Sequence, residues 1–194
     1  MSTSRPMPEA RIRSAEPWRL RPPDPGDGAA VHALVSLTPP LDPNSVYAYL
    51  LQALHFAGTC ALAERDGRLL GYVAGYCPPG RPDTLFIWQV AVDPAARGQG
   101  LGHALLRHLL ARPALRELRW LEATVSPDNL ASTRLFHGLA HALDCACTVS
   151  PLFSAEAFGA LPHAAEPLFR IGPFATSALP LKEEPHGHVD LRAP

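Results

Sequence analysis

The spacing of apolar residues changes period several times along the chain, and each change predicts an element. Residues 84–92 (TLFIWQVAV) are a nearly unbroken β-branched and aromatic run, the composition of a strand buried on both faces at the centre of a sheet. Ahead of it, residues 59–65 and 68–77 are strand-compatible runs joined by Asp66-Gly67, a pair that tolerates the positive φ angles of a tight hairpin turn. Counting back from that turn sets Cys60 opposite Val73, four positions from Cys77. Past the central strand the period lengthens: Leu101, Leu105 and Leu109, with Leu106 and Leu110, recur at helical spacing as far as Arg112-Pro113.

Helical signals also precede the sheet. Asp24 before Pro25 reads as the cap and first turn of a helix carrying Val31, Leu34 and Val35. Pro39-Pro40 interrupts it, and residues 41–45 (LDPNS) introduce a second helix with Tyr47, Leu50, Leu51 and Leu54 at helical spacing. Residues 18–21 and 120–125 read as further strands, Asn129 caps a helix over 130–141, and short strands near 146–149 and 168–171 close the unit. This order predicts an α/β fold, a central mixed sheet flanked by helices.

Composition narrows the picture. A chain of 194 residues holds about one domain, at roughly 100–200 residues each. Residues 1–17 and 175–194 are rich in Pro and polar residues without apolar period, so fixed structure is expected over 18–174 and not in the two ends. With 17 basic and 18 acidic residues the net charge is −1, which offers no overall attraction for nucleic acid or an anionic membrane. No stretch approaches the ~20 apolar residues of a membrane span. The N-terminal arm lacks the apolar core of a secretory signal, so a cytoplasmic location is expected. Four cysteines suit that compartment as free thiols. Cys145-x-Cys147 lacks the second ligand pair of a zinc site, and His137 and His141 lack both the intervening Glu of an H-E-x-x-H pattern and a third ligand; no metal is expected.

The chemistry concentrates in Arg97-Gly98-Gln99-Gly100-Leu101-Gly102. Three glycines let backbone N–H groups approach a ligand directly, and the loop opens a helix whose first-turn N–H groups and dipole favour an anion. Arg97 adds a mobile positive charge, so a diphosphate fits. The phosphate loop of nucleotide triphosphatases needs a lysine that is absent here. A dinucleotide fold needs G-x-G-x-x-G after its first strand, whereas this spacing is G-x-G-x-G with three strands upstream.

The loop, with Arg97 three residues before Gly100 and Gly102 two beyond it, resembles the pyrophosphate motif of the GCN5-related N-acetyltransferases. Residues 129–136 (NLASTRLF) are similar to that family's asparagine helix. The resemblance implies acetyl-CoA as cosubstrate, with Val90, Ala91 and Val92 pairing with its pantetheine arm and Val90 to Val92 supplying an oxyanion donor. It implies that Arg97, Gly98, Gln99, Gly100, Leu101, Gly102 and His103 surround the diphosphate and that Asn129, Ser132 and Phe136 lie beside the coenzyme. Many relatives carry a Tyr where this chain has Phe136; without it the thiolate leaves unassisted or takes a proton from elsewhere.

Residues 41–51, 78–92, 121–125 and 166–171 further resemble the L-2,4-diaminobutyrate acetyltransferases of ectoine biosynthesis, a similarity covering about 19–174. It implies transfer of acetyl to the γ-amine of L-2,4-diaminobutyrate, and a homodimer. Such an acceptor carries two ammonium groups and one carboxylate and needs acids together with neutral or cationic donors. Asp42, Asn44, Ser45 and Tyr47 supply that mixture, Glu166 a second acid, and Trp88 a wall with a cation-π face. Each also has an ordinary role: Asp42 or Asn44 as helix cap, Tyr47 and Trp88 as core, Glu166 as surface charge. The amine must lose a proton, and Asp42, Glu122 and Glu166, through water, are all candidates to receive it. The alternatives are the same chemistry on another amine, such as a polyamine or a protein N-terminus, and a non-catalytic module that binds acyl-CoA.

Overall fold

The computed structural model describes residues 18–161 and 163–175; the arm over 1–17 and the tail beyond 175 lie outside the described residues. Seven strands, β1 (Arg19–Arg21), β2 (Ala61–Arg65), β3 (Arg68–Tyr76), β4 (Thr84–Val92), β5 (Trp120–Thr124), β6 (Cys147–Phe153) and β7 (Glu166–Ile171), form one sheet in the order β1-β2-β3-β4-β5-β7-β6. Only β4 and β5 pair in parallel; the other pairs are antiparallel. The sheet is therefore mixed, as the order of elements predicts.

Helices α1 (Gly28–Ser36) and α2 (Val46–His55) share one core with Leu62, Tyr72 and Ala91, while α3 (Leu101–Leu110) and α4 (Leu130–Ala142) share another with Leu85, Ile87 and Leu121. Alternation along the strands creates the two faces. In α3, Leu101, Leu105, Leu106, Leu109 and Leu110 are all buried, each contributing ~1.5–3 kcal/mol, so the helix behind the glycine loop is firmly anchored.

Two details differ from the sequence expectation. Asp66 and Gly67 do adopt positive φ, but a β-bulge at Leu70 shifts the hairpin register so that Ala61, not Cys60, faces Val73. The bulge seats Leu70 in the α3-side core while keeping Tyr72 turned towards α1 and α2, and burial of both outweighs regular pairing. All four cysteines are free, as the sequence predicts. In α2 the buried stripe is Tyr49, Gln52 and Ala53, with Tyr47 and Leu54 exposed. Polar groups on the sheet beneath decide this rotation: Tyr72 bonds Gln52, and Gln89 bonds Tyr49.

A second bulge shapes the site. Ala74 pairs with Gln89 and Gly75 with Ile87, leaving Trp88 without a partner on β3. The pleat changes phase there, so Leu85 and Ile87 face α3 and α4 before it, and Val90 and Val92 after it. Pairing with β5 also stops, at Ile87 opposite Ala123. Residues 88–92 therefore have a strand neighbour on one edge only, immediately ahead of the glycine loop.

Candidate active site

The corner between β4 and the loop is pinned by Asp93. Its carboxylate accepts the Ala95 N–H at 2.8 Å and Arg68 Nη2 at 2.7 Å, and these bonds hold its pKa below the usual carboxylate range. Beyond it Gly98 and Gly100 take φ of 72° and 78°, the latter as the cap of α3, where a side chain would be strained. Gly98 to Gly100 form the turn that opens α3, and the first-turn N–H groups of that helix have no intrahelical acceptor. Arg97 is exposed, its Nε donating to the Val92 carbonyl at 3.3 Å, and Gln99 Nε2 donates to the Ala95 carbonyl at 3.1 Å. Gly102 serves packing: a Cβ there would come within 3.2 Å of Leu135 on α4. The His103 ring lies over Gly138 of the same helix.

The asparagine helix is capped by Asn129 Oδ1, which accepts the Ser132 N–H at 3.1 Å. Phe136 is buried, its ring centroid 6.4 Å from that of Phe169, and brings no ionisable group to the cleft.

A cavity of about 730 Å³ opens where β4 and β5 part, on the α2 side of the sheet. Its walls include Gln52 and Phe56 of α2, Phe86 and Trp88 of β4, Glu122 and Thr124 of β5, Leu152 and Phe153 of β6, and Leu168 and Arg170 of β7. Trp88, half exposed at the bulge, belongs to the wall rather than the core. Glu122 is 2% exposed. Both its oxygens accept from Arg81 Nη1 at 2.9 Å, and one also meets Arg170 Nη1 at 3.2 Å. Arg170 in turn stacks on Trp120, 4.1 Å from the ring centroid. Two guanidinium groups against one carboxylate leave a surplus positive charge at this wall.

The predicted loop residues sit apart from these walls. The Asn44 N–H donates to the Tyr49 hydroxyl, which donates to Gln89 Oε1, while Gln89 Nε2 donates to the Asp42 carbonyl at 2.8 Å. This chain of bonds fastens the loop to α2 and β4. The Asp42 carboxylate is exposed and lies 3.7 Å from His163 Nε2, bringing the loop to the segment that leads into β7. Ser45 Oγ accepts the Ala48 N–H and so caps α2. Tyr47 is 67% exposed. Glu166 begins β7 opposite Phe153. Of the sequence candidates for acceptor chemistry, Trp88 and Glu122 line the cavity; Asp42, Asn44, Ser45, Tyr47 and Glu166 do not.

Sequence reasoning missed Gln52, Arg81 and Arg170. Gln52 carried one signal, a polar residue on what proves to be the buried stripe of α2. Arg81, in a turn, carried none. Among the described residues no three His, Cys, Asp or Glu side chains gather as a metal site.

A parallel strand pair that parts before a glycine loop, with an acceptor cavity at the parting, is the architecture of an acyl-CoA N-acyltransferase. The acetyltransferase (GNAT) family matches residues 29–140, and the chain belongs to that family. Within it, the chain is 51% identical over 174 residues to the L-2,4-diaminobutyric acid acetyltransferase of Bordetella parapertussis, covering 89% of this chain and 94% of that protein. The enzyme of the same name from Halomonas elongata is 43% identical over 166 residues, 85% of this chain and 86% of that one. Among solved structures, diaminobutyrate acetyltransferase EctA from Paenibacillus lautus, in complex with L-2,4-diaminobutyric acid and coenzyme A, superimposes with a TM-score of 0.80. It is 41% identical, and the match covers 83% of this chain and 97% of that one.

Proposed function

We propose that the protein transfers the acetyl group of acetyl-CoA to the γ-amine of L-2,4-diaminobutyrate, giving N-γ-acetyl-L-2,4-diaminobutyrate for ectoine biosynthesis. The observation that carries the chemistry is the coincidence of an open β4 edge and a charged cavity at the parting of β4 and β5. The relatives named above narrow the acceptor.

The N–H groups of residues 98–102, with Arg97, His103 and the side of α4 bearing Asn129, Ser132 and Phe136, receive the diphosphate end of the coenzyme. The free edge at Val90, Ala91 and Val92 takes the pantetheine arm as an added strand, and a backbone N–H of that edge faces the thioester oxygen, where negative charge develops. Trp88 walls the carbon chain of the acceptor. Asp42 and Glu166, which lie outside the cavity walls, are the acids offered to its ammonium groups through water, with Asn44, Ser45 and Tyr47 following Asp42 at the start of α2.

Attack requires a neutral amine, and an ordinary alkylammonium titrates near ~10, so one proton must leave before the C–N bond forms. Both Glu122 oxygens are already engaged by guanidinium groups, which favours Asp42 or Glu166, through water, as the acceptor of that proton. As the C–N bond forms the carbonyl oxygen becomes an oxyanion; its collapse breaks the C–S bond. Phe136 has no proton to give, so the thiolate is protonated from solvent.

The catalytic unit is proposed to be residues 18–174, acting as a homodimer in the cytoplasm. Apolar side chains exposed on the edge strand β6, among them Val149, support the pairing. No helix among the described residues is long and apolar enough to cross a membrane.

A panel of amines assayed for coenzyme A release tests the reaction. Diaminobutyrate is expected to be turned over well ahead of polyamines and N-terminal peptides, with the γ-acetyl product identified by NMR. Equal rates on unrelated amines would remove the acceptor assignment, and tight acetyl-CoA binding without turnover would favour a non-catalytic binding module.

A further inference from the structure

Three buried side-chain nitrogens lack a hydrogen-bond partner among the described residues: Trp18 Nε1, Arg112 Nη2 and Gln52 Nε2. Of these residues only Gln52 lines the cavity. It is 5% exposed, so an amide nitrogen left without an acceptor there is costly, and the residue stands in the cavity wall, where a bound molecule can supply that acceptor.

The orientation of the amide follows from its other end. Tyr72, on β3 beneath α2, donates its hydroxyl proton to Gln52 Oε1 at 2.5 Å. The carboxamide oxygen therefore faces Tyr72, and the NH₂ is the end left without a partner. Burial pushes the Tyr72 pKa well up, with Cys60 adding to the effect, so the phenol keeps the proton that aims the amide.

We propose that Gln52 is a specificity-determining residue of the acceptor site, donating its amide N–H groups to the carboxylate of the amino-acid substrate, and that Tyr72 is the positioning residue that aims it. This rests on the acceptor reading given above. The α-ammonium of that acceptor is a donor and the γ-amine commits its lone pair to the thioester, so neither satisfies an NH₂; its carboxylate accepts. The surplus guanidinium charge of Arg81 and Arg170 over Glu122, on the same cavity, favours an anion independently. Gln52 therefore separates a diamino acid from the corresponding diamine by recognising the group that distinguishes them.

The test compares L-2,4-diaminobutyrate with 1,3-diaminopropane, the same chain without its carboxylate, on wild type and on Gln52→Met, Gln52→Glu and Tyr72→Phe. Gln52→Met keeps the volume and is expected to lower the ratio of kcat/KM for diaminobutyrate over diaminopropane by about 10- to 100-fold, the loss falling mainly on KM. Gln52→Glu is expected to lower it further, because carboxylate then meets carboxylate. Tyr72→Phe frees the amide to rotate, so an intermediate loss is expected, again in KM. Melting temperature and the KM for acetyl-CoA report the fold, and Gln52→Asn, which keeps the amide but shortens its reach, carries the same test should Gln52→Met unfold.

An unchanged ratio in Gln52→Met, equal losses on both amines, or tighter diaminobutyrate binding in Gln52→Glu would each overturn the assignment while wild-type turnover of diaminobutyrate left the acceptor reading standing. Wild-type protein that ignores diaminobutyrate and acetylates another amine would overturn both.

Discussion

At the scale of single residues, the three loop glycines divide their work. Gly98 and Gly100 hold left-handed backbone angles that only glycine adopts cheaply, and a Cβ at Gly98 would meet open space, so at Gly98 geometry and not crowding by the protein demands glycine. Gly102 demands smallness instead, because α4 approaches through Leu135. Gly100→Val places a β-branched side chain at φ of 78°, at a cost of about 1–2 kcal/mol, and obstructs the approach of a diphosphate. Steady-state kinetics are expected to show the KM for acetyl-CoA rising well beyond that for the amine. Equal rises in both would contradict the placement of the coenzyme. The sequence exposed this loop plainly, since three glycines beside Arg97 at the start of a leucine-patterned helix form a local signal. Arg81 and Arg170 left no comparable trace; their meeting at Glu122 joins a turn, β5 and β7, which only folding brings together.

At the scale of elements, α3 supports the loop and also carries a titrating group. Burial, with Arg112 beside it, lowers the pKa of His108 from its ordinary 6.5. A depressed folded-state value means that the unfolded chain takes up the proton first. The stabilisation is therefore complete above ~6.5 and is lost as pH falls below it. Asp93 and Asp27, both held low by their hydrogen bonds, add losses only at about 3.8 and below. Differential scanning calorimetry is expected to show the melting temperature falling between about pH 7.5 and 5.5, and His108→Gln is expected to flatten that slope. An identical slope in the variant would remove His108 as the cause. The strands and helices themselves were readable from period and punctuation, since Asp66-Gly67, Pro39-Pro40 and Asn129 act within a few residues of themselves. Register was not: the bulges at Leu70 and Trp88 arise because packing on two sides of one sheet had to be satisfied together.

At the scale of the whole molecule, β6 closes the sheet with an edge that leaves Val149 exposed while Leu152 and Phe153 reach the cavity wall. If copies pair along this edge, Val149→Glu is expected to shift the molecular mass from dimer to monomer by light scattering, and an unchanged mass would place the interface elsewhere. By itself the sequence determined the order of elements, the coenzyme loop, the asparagine cap and the family they belong to, because each depends on residues close in the chain. Tertiary structure decided the parting of β4 from β5, which face of α2 is buried, and the gathering of Gln52, Arg81, Glu122 and Arg170 around one cavity. Those features depend on hydrogen bonds and charges between segments 20 to 41 or more residues apart, whose partners are fixed only when the sheet forms.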